Sequence, residues 1–263
     1  MIEGLDVWSG YGDIDWSKVE ARFAYARATG YVDQDGTDNK VAENVAGIRA
    51  AGIPGGVYHV FHVSQDNEAQ WAERLYAAGD GLGTTVGDLP PMLDAEKPDP
   101  AAVPQLATMI VGKLERHVEA IEKRFGRLPI LYGYRPWYDA LGEALMRSET
   151  LRACEFWIAA YPFVVGRRVT EADRKPTLPN AWKEKGARIW QYAGDHSFAD
   201  PGIRSAPWKD GQRPVNIEAC EATVQVPGEV AIALSVISRL LLIGVELVFV
   251  ALAAAWARGA GRT

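Results

Sequence analysis

Short apolar runs of strand length alternate with segments of helical period along most of this chain. No other feature restricts the fold as much. Strand-like runs fall at 2–8, 23–29, 56–62, 91–96, 128–134, 156–161 and 188–192, with a weaker one at 215–217. Between them, Asp15 or Ser17 can cap a short helix from Lys18, and Asp38 can cap one carrying Val41, Val45 and Ile48, closed by Gly52. Asp66 can cap a third through Ala69, Ala72, Leu75 and Tyr76, closed by Gly79. A long amphipathic helix spans 102–125 and ends at Gly126, and Pro136 opens a short one. Strands alternating with helices imply crossover units and a parallel sheet, and eight such strands close a barrel. The connection 162–186 has no clear period, so the second half should carry fewer helices. The expected fold class is therefore α/β, an irregular (β/α) barrel resembling the TIM type.

In barrels of this kind the chemistry sits at the C-terminal ends of the strands. Asp6, Thr29, Tyr58, His59, Glu96, Tyr132, Tyr161 and Gln191 fall at or near such ends. The stretch Leu89-Pro90-Pro91-Met92-Leu93-Asp94-Ala95-Glu96 is the most informative: an apolar run closed by carboxylates two residues apart. Alternate side chains on a strand share a face, so Asp94 and Glu96 point the same way. Neighbouring carboxylates disfavour double ionisation. One carboxyl that stays protonated beside one that stays charged is what cleavage of a glycosidic bond requires. Two ordinary loop acids after a buried strand would give the same spacing.

Other classes fit less well. The net charge is -6, and no Lys/Arg stripe suggests nucleic acid. His59 and His62, three apart on a strand, face opposite ways and cannot share one ion, so no metal and no cofactor is expected. Trp8-Ser9-Gly10 lacks the pattern flanking a nucleophilic serine, and the glycines of 79–83 follow a helix instead of opening one. Asp13 and Asp15 read as turn or capping residues. Cys154 and Cys220 could form one disulfide or remain two buried thiols. The nine Trp and ten Tyr could stack on sugar rings or simply fill a core.

Gly4-Leu5-Asp6-Val7-Trp8, followed by Asp13-Ile14-Asp15-Trp16, resembles the start of glycoside hydrolase family 25, the Chalaropsis-type lysozymes found among bacterial autolysins and phage endolysins. Gly56-Val57-Tyr58-His59-Val60-Phe61, the Asp-Ala-Glu strand, Trp157-Ile158-Ala159-Ala160-Tyr161 and Trp190-Gln191-Tyr192 resemble later strands of that family, in its order. The resemblance implies an N-acetylmuramidase that cuts the β-1,4 bond between N-acetylmuramic acid and N-acetylglucosamine in peptidoglycan. It implies Glu96 as general acid, Asp94 and Asp6 as flanking charges, and Tyr58, His59, Tyr132, Tyr161, Gln191 and Asn216 as sugar-binding residues. Two departures stand out. The family's last strand usually has Val-Asp-x-Asn, where this chain reads Val215-Asn216-Ile217-Glu218, and Arg27-Ala28-Thr29-Gly30 replaces a pattern of Lys-Ala-Thr with Glu beside it.

After Pro227-Gly228 the composition changes. Residues 240–257 are apolar except for Glu246, about the length that spans a bilayer. The expected organisation is a barrel over 1–225 and a hydrophobic helix over 229–258, with 230–257 a membrane anchor or a helix packed on protein. The opening residues lack the basic and apolar regions of a signal peptide. The expected place of action is the bacterial cell wall, outside the cell or in a host periplasm. A wall-binding module that lost turnover with Asn216, and a chitinase-like barrel, are the competing readings. The second is weakened by Met92 and Pro90, which stand where that family carries further Asp residues.

Overall fold

The computed structural model describes residues 2–19, 21–30, 36–161, 176–193 and 218–222. Eight strands form a closed barrel in sequence order: β1 (Ile2–Val7), β2 (Ala24–Thr29), β3 (Gly55–Val60), β4 (Met92–Asp94), β5 (Ile130–Gly133), β6 (Glu155–Ala159), β7 (Ile189–Ala193) and β8 (Glu218–Ala222). Neighbours from β1 to β7 are parallel. β8 runs antiparallel to both β7 and β1, and completes the ring.

This corrects the sequence reading at one strand. The eighth strand was expected to begin at Val215 and to continue the parallel order. The described strand begins at Glu218 and runs the other way. An antiparallel strand needs no crossover helix to return to the sheet, so the chain departs here from a regular (β/α) barrel.

Helices cover the first part of the ring. They are α1 (Val41–Ala51), α2 (Glu68–Ala78), α3 (Val103–Phe125), and the short α4 (Arg135–Ala140), α5 (Gly142–Arg147) and α6 (Glu149–Ala153). α3 shows why they form. Val103, Ile110, Leu114, Val118, Ile121 and Phe125 recur every three or four residues and are buried as one stripe. Lys123 and Arg124 lie in the last turn, where cations meet the helix dipole favourably. Gly126 then takes a left-handed φ of 74° and returns its N–H to the Glu122 carbonyl. The expected caps differ. Asp66 pairs instead with Lys113 at 2.7 Å, and the helix expected from Lys18 is one 3-10 turn, Trp16–Lys18. Between 176 and 188 the only described helical piece is the turn Asn180–Trp182, so this part of the expected irregularity is present.

Outward strand residues such as Ala24, Ala26, Val57, Leu93, Leu131 and Phe156 pack under the helices in one hydrophobic core. The barrel's interior is filled by aromatic rings, Tyr25 against Trp157 at 5.0 Å and Tyr132 against Trp157 at 5.5 Å. Gly56 makes room for Tyr25, whose ring would lie 2.4 Å from any Cβ there. Trp182, Phe156 and Tyr138 form a second aromatic stack below α6, beside the free, buried thiol of Cys154.

A bulge between Arg27 and Thr29 shifts the register of β2 against β3. It turns Thr29 toward His59, whose Nδ1 lies 2.9 Å from the Thr29 hydroxyl. Gly30 follows at φ 104°, with the Val60 carbonyl 2.1 Å from where a Cβ would stand. His59 is fully buried and stacks on His117 of α3 at 5.6 Å. It faces the helical layer, so it is not the rim sugar contact expected from its place at a strand end.

The apolar segment 230–257, and with it the anchor expectation, lies outside the described residues. Among the described residues no helix is long and apolar enough to cross a membrane.

Burial, and then the charge on His117, push His59 down from 6.5 to about 3. Its neutral form is the folded form, so its contribution to stability is present above pH 6.5 and is lost as pH falls toward 3. Urea unfolding should therefore show stability falling by about 1.4 kcal/mol per pH unit from this group below pH 6.5. His59→Gln should flatten that slope, and an unchanged slope would refute the account.

Candidate active site

Three acidic side chains meet at the C-terminal mouth of the barrel. Asp6 comes from β1 and Asp94 from β4, and Glu96 lies two residues beyond the described end of β4. The chain past β4 remains sheet-like: Ala95 N–H donates to the Tyr132 carbonyl at 3.0 Å, and Phe61 N–H donates to the Asp94 carbonyl at 2.8 Å. Alternation therefore continues, with Ala95 buried outward and Asp94 and Glu96 sharing the inner face. The two carboxyls are hydrogen-bonded to each other. Both remain partly open, as groups that must meet a ligand have to be.

Loss of water around Asp94 pushes its carboxyl well above the usual range, helped by the charges of Glu96 and Asp6 and opposed by Arg27. Burial likewise raises Glu96, against the pull of the Lys97 charge. Burial also raises the Tyr134 hydroxyl, with Glu96 and Asp99 adding to it. One oxygen of Asp94, Oδ1, is buried without a hydrogen-bond partner among the described residues. The mouth thus holds more carboxylate than it can ionise at once. It keeps a proton next to negative charge, which suits acid-assisted cleavage through a cationic transition state.

The expected sugar-binding residues divide. Tyr161 stands at the rim, 46% exposed. Tyr58 and Tyr132 are on the inner face and nearly covered, and Gln191 is fully buried. Gln191 Oε1 accepts from the Tyr132 hydroxyl at 2.6 Å and the Tyr161 hydroxyl at 2.7 Å, and its Nε2 donates to Asp6 Oδ2 at 3.1 Å. Asn216 lies outside the described residues. Among the described residues no cluster of three or more potential ligands could hold a metal ion.

Sequence reasoning missed a buried cation. Arg27 is joined to Asp38 by Nε at 2.9 Å and Nη2 at 2.8 Å, reaches Ser9 Oγ at 3.3 Å, and lies 4.4 Å from the centroid of the Trp8 ring. Asp38, read as a helix cap, also accepts from the backbone N–H of Ser9 and Lys40. The usable signal was Arg27 itself. An arginine at an inward strand position needs a carboxylate, and Asp38 lies only eleven residues on.

A closed α/β barrel with clustered, desolvated carboxyls at its C-terminal mouth is the arrangement of a glycoside hydrolase. The sequence model of glycosyl hydrolases family 25 matches residues 5–201, and the chain belongs to that family. No curated protein sequence matches it. Among solved structures, the lysozyme of Streptomyces coelicolor shares 20% identity at a TM-score of 0.64, covering 86% of this chain and 93% of that one. A muramidase from Acremonium alcalophilum gives 20% and 0.63 over 86% and 95%, and the spore cortex lytic enzyme SleM of Clostridium perfringens 22% and 0.65 over 86% and 68%. These similarities are similarities of fold.

Removing one partner of a buried pair leaves the other charge uncompensated. Asp38→Ala should lower unfolding stability by about 3 kcal/mol or more, read by urea titration of tryptophan fluorescence. A loss below about 1 kcal/mol, as for a surface pair, would mean that Arg27 finds another counter-charge.

Proposed function

We propose that this glycoside hydrolase is an N-acetylmuramidase, cutting the β-1,4 bond between N-acetylmuramic acid and N-acetylglucosamine in peptidoglycan as an endolysin or autolysin. The observation that carries the reading is the desolvated pair at the mouth, Glu96 hydrogen-bonded to Asp94 with the carboxyls of both raised. Glu96, at the outer end of the segment, protonates the leaving oxygen. Asp94 and Asp6 place negative charge beside the anomeric carbon as it becomes cationic. The unpartnered Asp94 Oδ1 is the atom free to engage the sugar. Tyr161 offers an exposed aromatic face at the rim for a sugar ring, and Tyr58 and Tyr132 shape the inner wall.

The segment 230–257 is read with the same function in view. An apolar stretch of about bilayer length would hold the barrel at the membrane, beside the wall. Full-length chain recovered in the soluble fraction of expressing cells without detergent overturns that part.

The catalytic reading is tested with the full-length chain and Glu96→Gln on purified peptidoglycan, following reducing ends and scoring folding by circular dichroism. The wild type should release reducing ends, and the variant should lose about a hundredfold or more. Chitin oligomers should be cut far more slowly. Equal release by the folded variant would remove Glu96 from the role of acid, and preference for chitin would replace the substrate. The rate should fall as pH rises through the raised value of Glu96, because the acid must carry its proton.

A further inference from the structure

Four side chains from different strands are tied in series across the mouth. Glu96 is hydrogen-bonded to Tyr132, Tyr132 to Gln191 and Gln191 to Asp6. The middle of this series has a fixed direction. An ionised Asp6 only accepts, so the Gln191 amide must turn its Nε2 toward it. The flipped amide would set Oε1 against a carboxylate. With Nε2 committed, Oε1 is the end that faces the tyrosines, and both hydroxyls must donate to it. A hydroxyl has one proton. That of Tyr132 is held by Gln191 at 2.6 Å, so the same oxygen presents lone pairs to Glu96.

A neutral Glu96 has an O–H to give to those lone pairs. An ionised Glu96 has none, and to be satisfied it must draw the Tyr132 proton away from Gln191. We propose that Gln191 is a positioning residue of the reaction: anchored by Asp6, its amide commits the Tyr132 proton and so holds Glu96 in its acid form. It is not a sugar contact, since it is fully buried. The inference rests on the reading of Glu96 as the general acid. It links that acid to Asp6 at the far side of the mouth, so that ionisation of Asp6 favours protonation of Glu96 through bonds as well as through space.

The other groups acting on Glu96 are Asp94 and Lys97 from its own segment, Asp6 from β1, Tyr134 following β5, and Tyr138 of α4. None of them is altered by a change at Gln191 that preserves its length. Gln191→Met removes both the acceptor and the donor. The Tyr132 O–H is then free to donate to the Glu96 carboxylate, which stabilises the charged form. The high-pH limb of the activity profile should move to lower pH by about one unit, the size of one hydrogen bond to a charged group. Asp6 loses a donor, so the low-pH limb should rise and the profile narrow.

The experiment measures pH profiles of reducing-end release by full-length wild type, Gln191→Met, Tyr161→Phe, Tyr132→Phe and the Tyr132→Phe/Gln191→Met double variant. In parallel, the Glu96 carboxyl is titrated by carbon-13 NMR and assigned by its absence in Glu96→Gln. Tyr161→Phe leaves the Tyr132–Gln191 bond in place, so both limbs should stay where they are, whatever happens to the rate. Without the Tyr132 hydroxyl, Gln191→Met should no longer move the high-pH limb. A lower rate with unmoved limbs and an unmoved Glu96 titration in Gln191→Met would overturn the proposal and leave Gln191 a packing residue. An equal shift in the Tyr132→Phe background would also overturn it. The NMR titration does not require turnover. An inactive wild type whose Glu96 titration still shifts in Gln191→Met would sustain the hydrogen-bond chain and refute the muramidase reading instead.

Discussion

Closure of the strand ring is the constraint on which the rest of the molecule depends. Once β1 is paired to both β2 and β8, alternation along each strand decides whether a side chain faces the helices or the axis. The inner set is then compressed into a small volume. Its lower part is aromatic, with Tyr25, Trp157 and Tyr132 in contact, and excludes water. Its upper part is acidic. Asp6, Asp94 and Glu96 approach one another because their backbones are held by strand pairing, and their mutual repulsion is met by protonation. The same packing that stabilises the barrel therefore supplies the proton its chemistry uses.

Polar groups in this interior are satisfied in two separate ways. Arg27 and Asp38 neutralise each other away from the strand axis, with Trp8 over the guanidinium and Ser9 at its edge. Their bidentate geometry is what makes a buried pair tolerable. Gln191 instead joins neutral and charged groups, with two tyrosine hydroxyls on one end of its amide and Asp6 on the other. The first arrangement settles a charge locally. The second carries direction, because an amide has a donor end and an acceptor end. Behind β3, His59 and His117 fill a third buried polar pocket, which belongs to the packing of α2 and α3 and not to the mouth.

Much of the fold was legible in the sequence because helices and strands have different apolar periods. The stripe from Val103 to Phe125 and the runs around Val57, Leu93 and Leu131 could be read without any tertiary information. Glycines that stop helices, Gly52 and Gly126, were readable for the same local reason. Helix starts were not. Asp38 and Asp66 look like caps in sequence, yet each is taken by a distant cation, Arg27 and Lys113. Thr29 and His59 also misled, since one extra residue in a strand reverses the face of everything after it, and nothing local marks that bulge.

The sequence by itself determined the order of strands and helices, the core, and the presence of two carboxyls on one face at Asp94 and Glu96. These follow from spacing along one chain segment. Tertiary structure decided the rest. It ran β8 antiparallel, set Asp6 and Gln191 in contact across 185 residues of chain, and removed His59 from the site. The physical reason is that contacts between segments depend on how a closed ring brings strands together, and periodicity within one segment carries no information about that.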